Sequence, residues 1–358
     1  MQHELMKATK LRETTQAMEG LSLDFNPRGL VPSWSPSHLS SVGHEQKQLD
    51  AIYVPTRGRA EQVSHFFDDV CPSEIPVYLL LSSANDIPSG VPAERLYLED
   101  LSGWDAAFLK ALRSLRCVSN PLFAVPPSVW DLPIKRNYAL WHANKHGFSR
   151  ILLLDDDIRG MGDTQCVAGA TALSRWTLAG FFVDDFPDTS VIGHIELAVG
   201  ESVRPFLSGS CLFVQTQMTS GFFPPIYNED WIFMAHEIAE GSVCSLGLIQ
   251  QAAYDPFARP CAAMFQEPGE IIADGLFALL AARRYDDRFS PNVWATLLSQ
   301  RRAWLKVLAS HAKHPEHRSA IDNARARCAQ FAATDCVCFV SDYEQDCTQW
   351  KQCLKEME

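Results

Sequence analysis

An aliphatic run, Ile151-Leu152-Leu153-Leu154, passes directly into three aspartates, Asp155-Asp156-Asp157. This junction constrains the fold more than any other stretch of the chain. Four consecutive aliphatic side chains bounded by polar residues fit a strand covered on both faces, the kind found inside a mostly parallel sheet. Open α/β sheets bind ligands beyond the carboxyl ends of their strands, and the three acids fall at that end. Adjacent carboxylates repel one another, so a cation has to offset them. A hard divalent ion with oxygen ligands, shared with a substrate diphosphate, meets that need. The plainer alternative is a solvated acidic turn.

The preceding sequence points to the same architecture. Asp50-Ala51-Ile52-Tyr53-Val54 reads as a strand ending in Pro55-Thr56-Arg57-Gly58-Arg59. A helix is expected next, with Val63, Phe66 and Phe67 on its buried side, and then a second strand over Val77–Leu81. Asp131-Leu132-Pro133 predicts a helix start, with Asp131 as cap and Pro133 in the first turn. That helix runs through Arg136, Asn137, Ala139, Leu140 and Ala143 and stops at Gly147. Strands alternating with helices over short connections define an α/β architecture.

Beyond the aspartates, Val191–Ile195 and Ser210–Val214 read as strands. From Asp274 the pattern turns helical, with a fresh start at Ser290-Pro291. The apolar stripe that follows carries Val293, Trp294, Leu297, Leu298, Trp304, Leu305 and Leu308. Three segments are expected: a polar extension over 1–48, a compact α/β unit over 49–265 and a helical region over 266–358.

Composition narrows the function classes. A net charge of −12 argues against a general nucleic-acid binder, which needs a basic face for phosphates. No apolar stretch is long enough to cross a bilayer, and Met1–Gly20 lacks a basic-then-apolar leader pattern. Eleven cysteines, without the spacing of a disulfide framework, suit a reducing cytoplasm. Cys328, Cys336, Cys338, Cys347 and Cys353 lie close in sequence but form no C-x-x-C pair, so free thiols are expected there rather than zinc. His311, His314 and His317 have ligand-like spacing, yet Pro315 interrupts any shared helical face.

Two further groups carry chemistry. Tyr227-Asn228-Glu229-Asp230-Trp231 places an acidic pair beside aromatics. One of its carboxylates is a candidate general base, and helix capping by Asn228 or Asp230 is the structural alternative. Arg57, after the first strand, and Arg136, in Lys135-Arg136-Asn137 before the acidic strand, are candidate phosphate holders, because guanidinium groups pair bidentately with phosphate oxygens; a structural salt bridge is the alternative for either.

In order and spacing, Asp50–Phe265 resembles the GT-A nucleotide-sugar glycosyltransferases, most closely their family-2-like inverting branch. The resemblance rests on Val54-Pro55-Thr56-Arg57, Arg136-Asn137, Asp155-Asp156-Asp157 and Asn228-Glu229-Asp230. It implies a Rossmann-like, mixed and mostly parallel sheet flanked by helices, with a helical C-terminal extension. It also implies transfer of a sugar from a nucleotide-diphosphate donor, UDP first among them, to an acceptor hydroxyl. By that resemblance Pro55, Thr56, Arg57, Arg136, Asn137, Asp155 and Asp156 hold the nucleotide sugar. Asp157, with Asp155, holds Mg²⁺ or Mn²⁺, and Asp230 beside Glu229 supplies the base. Gly209 and Ser210 place small residues where donor and acceptor meet. The chain departs from the pattern in two respects. Thr56-Arg57-Gly58 replaces the usual Pro-x-Tyr/Phe-Asn strand end, and no Gln-x-x-Arg-Trp segment is present.

Other readings are weaker. No lysine follows a glycine, which removes a P-loop. A phosphatase with Asp155 as nucleophile and Asp157 as acid is disfavoured by Arg159 two places on. A sugar-phosphate nucleotidyltransferase would carry a glycine-rich loop after the first strand. A non-catalytic protein that uses its C-terminal helices to bind a partner is the remaining alternative.

Overall fold

The computed structural model describes residues 21–35, 48–57, 75–82, 96–100, 105–123, 127–184, 186–187, 189–201, 206–259 and 261–356. The helix expected around Val63, Phe66 and Phe67 lies outside the described residues. Eight strands form a mixed, mostly parallel sheet: β1 (Ala51–Thr56), β2 (Val77–Leu81), β3 (Leu96–Asp100), β4 (Arg150–Leu154), β5 (Ile158–Arg159), β6 (Leu178–Val183), β7 (Leu207–Gln215) and β8 (Val243–Gln251). Their order is β3-β2-β1-β4-β7-β6-β8-β5. Strands β3, β2, β1 and β4 run parallel to their neighbours, and β6 pairs in parallel with β8. The exceptions are β7, antiparallel to both β4 and β6, and the two-residue β5, antiparallel to β8.

Alternation along the strands divides the core in two. Tyr53, Tyr78, Leu80, Ile151, Leu153, Leu212 and Val214 face one layer, while Ile52, Val54, Leu79, Leu152, Leu154 and Phe213 face the other. A strand repeats every two residues, so every strand of this block serves both layers, and an uninterrupted aliphatic run is what two covered faces require. The second layer is closed by α4 (Asp163–Ala172) through Cys166 and Ala170.

The first layer holds α1 (Ala106–Arg113), α2 (Arg116–Ser119), α3 (Pro127–Lys145), α5 (Val191–Ala198), α6 (Glu229–Ala239), α7 (Ala262–Ala281), α8 (Pro291–His311), α9 (Pro315–Cys328) and α10 (Ala333–Lys355). The apolar stripe expected after Pro291 is the inner face of α8: Val293, Trp294, Leu297, Leu298, Leu305 and Leu308 are buried. Trp304 is partly buried, and its indole N–H donates to Glu196. At the far end, α10 reaches back to the earliest helices. Asp346 accepts the α2 backbone N–H groups of Arg116 (2.9 Å) and Cys117 (2.8 Å). Trp350 packs against Trp141 of α3 and Phe108 of α1. Part of the N-terminal segment is likewise fixed: Gln300 bonds both Leu21 and Leu23, and Trp34 and Pro32 pair with the backbone of Ser245.

Three sequence expectations need correction. Val191–Ile195 is not a strand but the start of α5, because Ser190 caps it (Gly193 N–H to Ser190 Oγ, 3.0 Å). Its β-branched run sits at helical spacing, with Val191, Ile192 and Ile195 on the buried side. The helix before β4 begins at Pro127, so Pro133 lies inside it and Asp131 is not its cap. The helix expected from Asp274 begins at Ala262 and crosses the expected 265/266 boundary. By contrast, Gly147 does terminate α3: it lies two residues past Lys145, and its φ of 69° is the left-handed turn that glycine adopts without strain. Phe148 N–H then returns to Ala143 (2.8 Å). Among the described residues, no helix is long and apolar enough to cross a membrane.

Candidate active site

Strand register brings the sequence motifs together. Tyr53 pairs with Leu153; three residues further on, the same register sets Thr56 beside Asp156, and Thr56 Oγ1 donates to Asp156 Oδ2 at 2.8 Å. Leu154 pairs with Cys211 on β7. The next residue, Asp155, therefore meets Ser210, and its backbone N–H donates to Ser210 O at 2.8 Å. Because β7 runs antiparallel to β4, Gly209 and Ser210 face the acids at this edge of the sheet. Helix α6 begins here as well. Asn228 adopts left-handed φ 56°, and its side chain does not cap the helix but donates to Glu270 at 3.3 Å. The turn delivers Glu229 and Asp230, both buried, in the first turn of α6.

Arg136 lies at the centre of the cluster. From the middle of α3, its Nη1 donates to Glu229 Oε1 (2.7 Å) and its Nη2 to both oxygens of Asp155 (3.2 and 3.1 Å). Its guanidinium carbon lies 5.9 Å from the centre of the Phe223 ring. The close packing depends on Gly209. A Cβ there would come within 2.5 Å of Arg136 Nη1 and 2.8 Å of the Asp230 Cβ. Asp230 Oδ2 accepts the Gly209 N–H (2.6 Å), and Oδ1 accepts its neighbour Trp231 N–H (2.9 Å).

The three aspartates do not point to one place. Asp155 faces Arg136, Asp156 faces Thr56, and Asp157 accepts from Gln251 Nε2 at 3.3 Å. With 20% of its side chain exposed, Asp155 is the accessible member of the triplet, whereas Asp156 and Asp157 are buried. Among the described residues, no set of three or more His, Cys, Asp or Glu side chains converges to hold an ion by itself.

Crowding of carboxylates shows in the electrostatics. Burial pushes Asp155 up to about 7; Arg136 opposes this, while Asp157 and Asp156 add to it. Burial likewise pushes Glu229 up to about 8 against Arg136, with Asp230 and Asp155 contributing. Burial disfavours the Arg136 charge, but Asp155, Glu229 and Asp230 outweigh it and hold the guanidinium above its ordinary value. Two buried donors at this edge, Arg136 Nε and the Ser210 hydroxyl, make no hydrogen bond. Each such group costs about 1–3 kcal/mol until something accepts from it.

Of the sequence candidates, Arg136, Asp155, Gly209, Ser210, Glu229 and Asp230 come together, with Thr56 and Asp156 alongside. Pro55 pairs with Leu80 inside the sheet, and Arg57 follows β1 at the surface. Asn137 turns away: its amide exchanges two 2.7 Å hydrogen bonds with the backbone of Phe223, so it fixes the loop beneath Arg136. Sequence reasoning missed the cradle around Lys135. Its buried ammonium donates to Thr56 O (2.7 Å), Ser82 Oγ (2.6 Å) and Asp131 (2.5 Å), tying together the ends of β1 and β2. The signal was the Asp131-to-Lys135 spacing of four, an ion pair along one helix face. Gln251 gave no signal, being one polar residue at the end of β8.

Comparison of the sequence with family models and with curated proteins found no match to either.

Proposed function

We propose that the protein is a GT-A-like glycosyltransferase, moving a sugar from a nucleotide-diphosphate donor, UDP first, to an acceptor hydroxyl. One observation supports this most. At the carboxyl edge of a mostly parallel sheet, the buried Arg136 lies among Asp155, which is accessible, Glu229 and Asp230, with its own Nε and the nearby Ser210 hydroxyl unpartnered. Ligands of open α/β sheets bind at this edge.

Divergence of the aspartates argues against a closed protein cage for an ion and is compatible with one shared with donor phosphates, since Mg²⁺ is commonly bound through one or two carboxylates plus phosphates and water. Asp155, the accessible carboxylate, would hold it; Asp157, buried against Gln251, would join only by turning toward the same edge. When bound, Mg²⁺ or Mn²⁺ offsets the charge that develops on the leaving nucleotide. Arg136 holds Glu229 and Asp155 in place. Asp230 is oriented by two amides and the Ser208 hydroxyl, which leave part of its carboxylate acceptor capacity open and so suit it to take the acceptor's proton.

The test is a panel of nucleoside-diphosphate sugars with Mn²⁺ or Mg²⁺, read by nucleoside diphosphate release and by thermal shift. Release of nucleoside diphosphate, with Asp230→Asn lowering kcat at unchanged donor affinity, is the expected result. Release of pyrophosphate would assign a nucleotidyltransferase instead. No thermal shift with any nucleotide, with or without metal, would leave the non-catalytic alternative standing and refute the proposal.

A further inference from the structure

A cavity of about 480 Å³ opens between α6 and α10, within the size range of small-molecule sites. Its lining is aromatic on one side: Phe233 and Gly221 are buried, and Tyr285 and Tyr343 join them. The polar groups of its walls are already committed. Tyr343 Oη donates to Phe222 O (2.9 Å), Glu344 accepts from Arg288 (2.8 Å), and Ser220 bonds Glu237 (3.4 Å). The rim is different. Lys351 and Lys355 lie one turn apart on α10, facing His236 of α6 across the opening. None of these three side chains makes a hydrogen bond or ion pair with a described residue. In a chain of net charge −12, Glu344 of this cavity is offset by Arg288 and Glu237 lies behind Ser220, held also by Ser242, while the unpaired rim groups are cationic or basic, so the rim favours anions.

The geometry points to this cleft as a binding site for a small aromatic phosphate or carboxylate, its ring on the Phe233–Tyr285–Tyr343 side and its anionic head at Lys351 and Lys355. It is separate from the acid cluster. Phe233 stacks on Phe223 (centroids 4.2 Å apart), and Arg136 lies beyond Phe223. The assignment therefore stands or falls independently of the transferase proposal.

Isothermal titration of the full chain with phenyl phosphate, benzoate and inorganic phosphate tests it. Phenyl phosphate binds more tightly than inorganic phosphate. The pair K351E/K355E weakens it at least tenfold, ~1.4 kcal/mol, and Thr348→Trp, which fills the cleft from α10, abolishes it. Thermal melts establish that each variant is folded; should Thr348→Trp fail that control, the lysine pair decides. The assignment is overturned by absence of binding, by both variants binding like the parent chain, or by inorganic phosphate matching phenyl phosphate.

Discussion

Gly209→Ala is the sharpest probe of the candidate active site, because a single methyl must enter space held by charged groups. The added carbon would lie 2.5 Å from Arg136 Nη1, 2.7 Å from Cζ and 2.8 Å from the Asp230 Cβ. The guanidinium cannot swing aside freely, since Asp155 and Glu229 both hold it. Overpacking of this kind costs about 1–3 kcal/mol, and moving Arg136 off Glu229 forfeits a charged hydrogen bond of about 1.5–3 kcal/mol. Replacing glycine within a strand returns about 0.5–1 kcal/mol. Net destabilisation of about 2–5 kcal/mol is expected, read from urea unfolding. A double-mutant cycle identifies the cause. Arg136→Lys keeps the charge but removes the planar fork, so Gly209→Ala should cost at least ~1 kcal/mol less in that background. Equal cost in both backgrounds, or no cost in either, refutes the packing of Arg136 on Gly209.

Asn137→Ala strips both hydrogen bonds from the Phe223 backbone and should destabilise by about 1–3 kcal/mol in the same assay. Asn228→Gly should be tolerated at left-handed φ 56°, apart from the lost bond to Glu270, whereas Asn228→Ala should melt lower by an additional ~1–2 kcal/mol equivalent. Arg301, buried among Glu267, Glu270 and Asp274, should cost about 3–5 kcal/mol when replaced by Met. Burial pushes Glu270 from 4.5 up to about 8, although Arg301 opposes it. Between those values the folded chain retains a proton that the unfolded chain has released, so this contribution to stability is full at low pH and is lost as pH rises through the window. Urea midpoints at mildly acidic and mildly alkaline pH should show that fall, and Glu270→Gln should remove its share, leaving the part due to Asp155 and Glu229.

Much of the frame was legible because strands and their ends carry local signals. Aliphatic runs located β1, β2, β4 and β7, and Gly147 located the end of α3. The acidic triplet marked the edge of the sheet at which Arg136, Glu229 and Asp230 gather. Val191–Ile195 misled because β-branched residues favour strands in general, and a single Ser190 hydroxyl reversed that preference. Asp131 looked like a helix cap because the sequence shows its type and not its partner, Lys135. Divergence of the three aspartates was beyond reach: it follows from Thr56, Arg136 and Gln251 arriving from three separate elements. The role of Asn137 depends on where the Phe223 loop meets α3, and that of Gly209 on the register of β7 against β4, neither of which a local pattern encodes.

The bond from Asp346 to the start of α2 has a consequence for biosynthesis. These partners are separated by 230 residues of chain for Arg116 and 229 for Cys117, and contacts so distant in sequence form late. On the ribosome, the first sheet strands and α3 must wait with the seat of Trp350 uncovered until the final helix emerges. Loss of α10 would thus leave the nascent protein with an aggregation-prone apolar surface rather than a trimmed but folded chain.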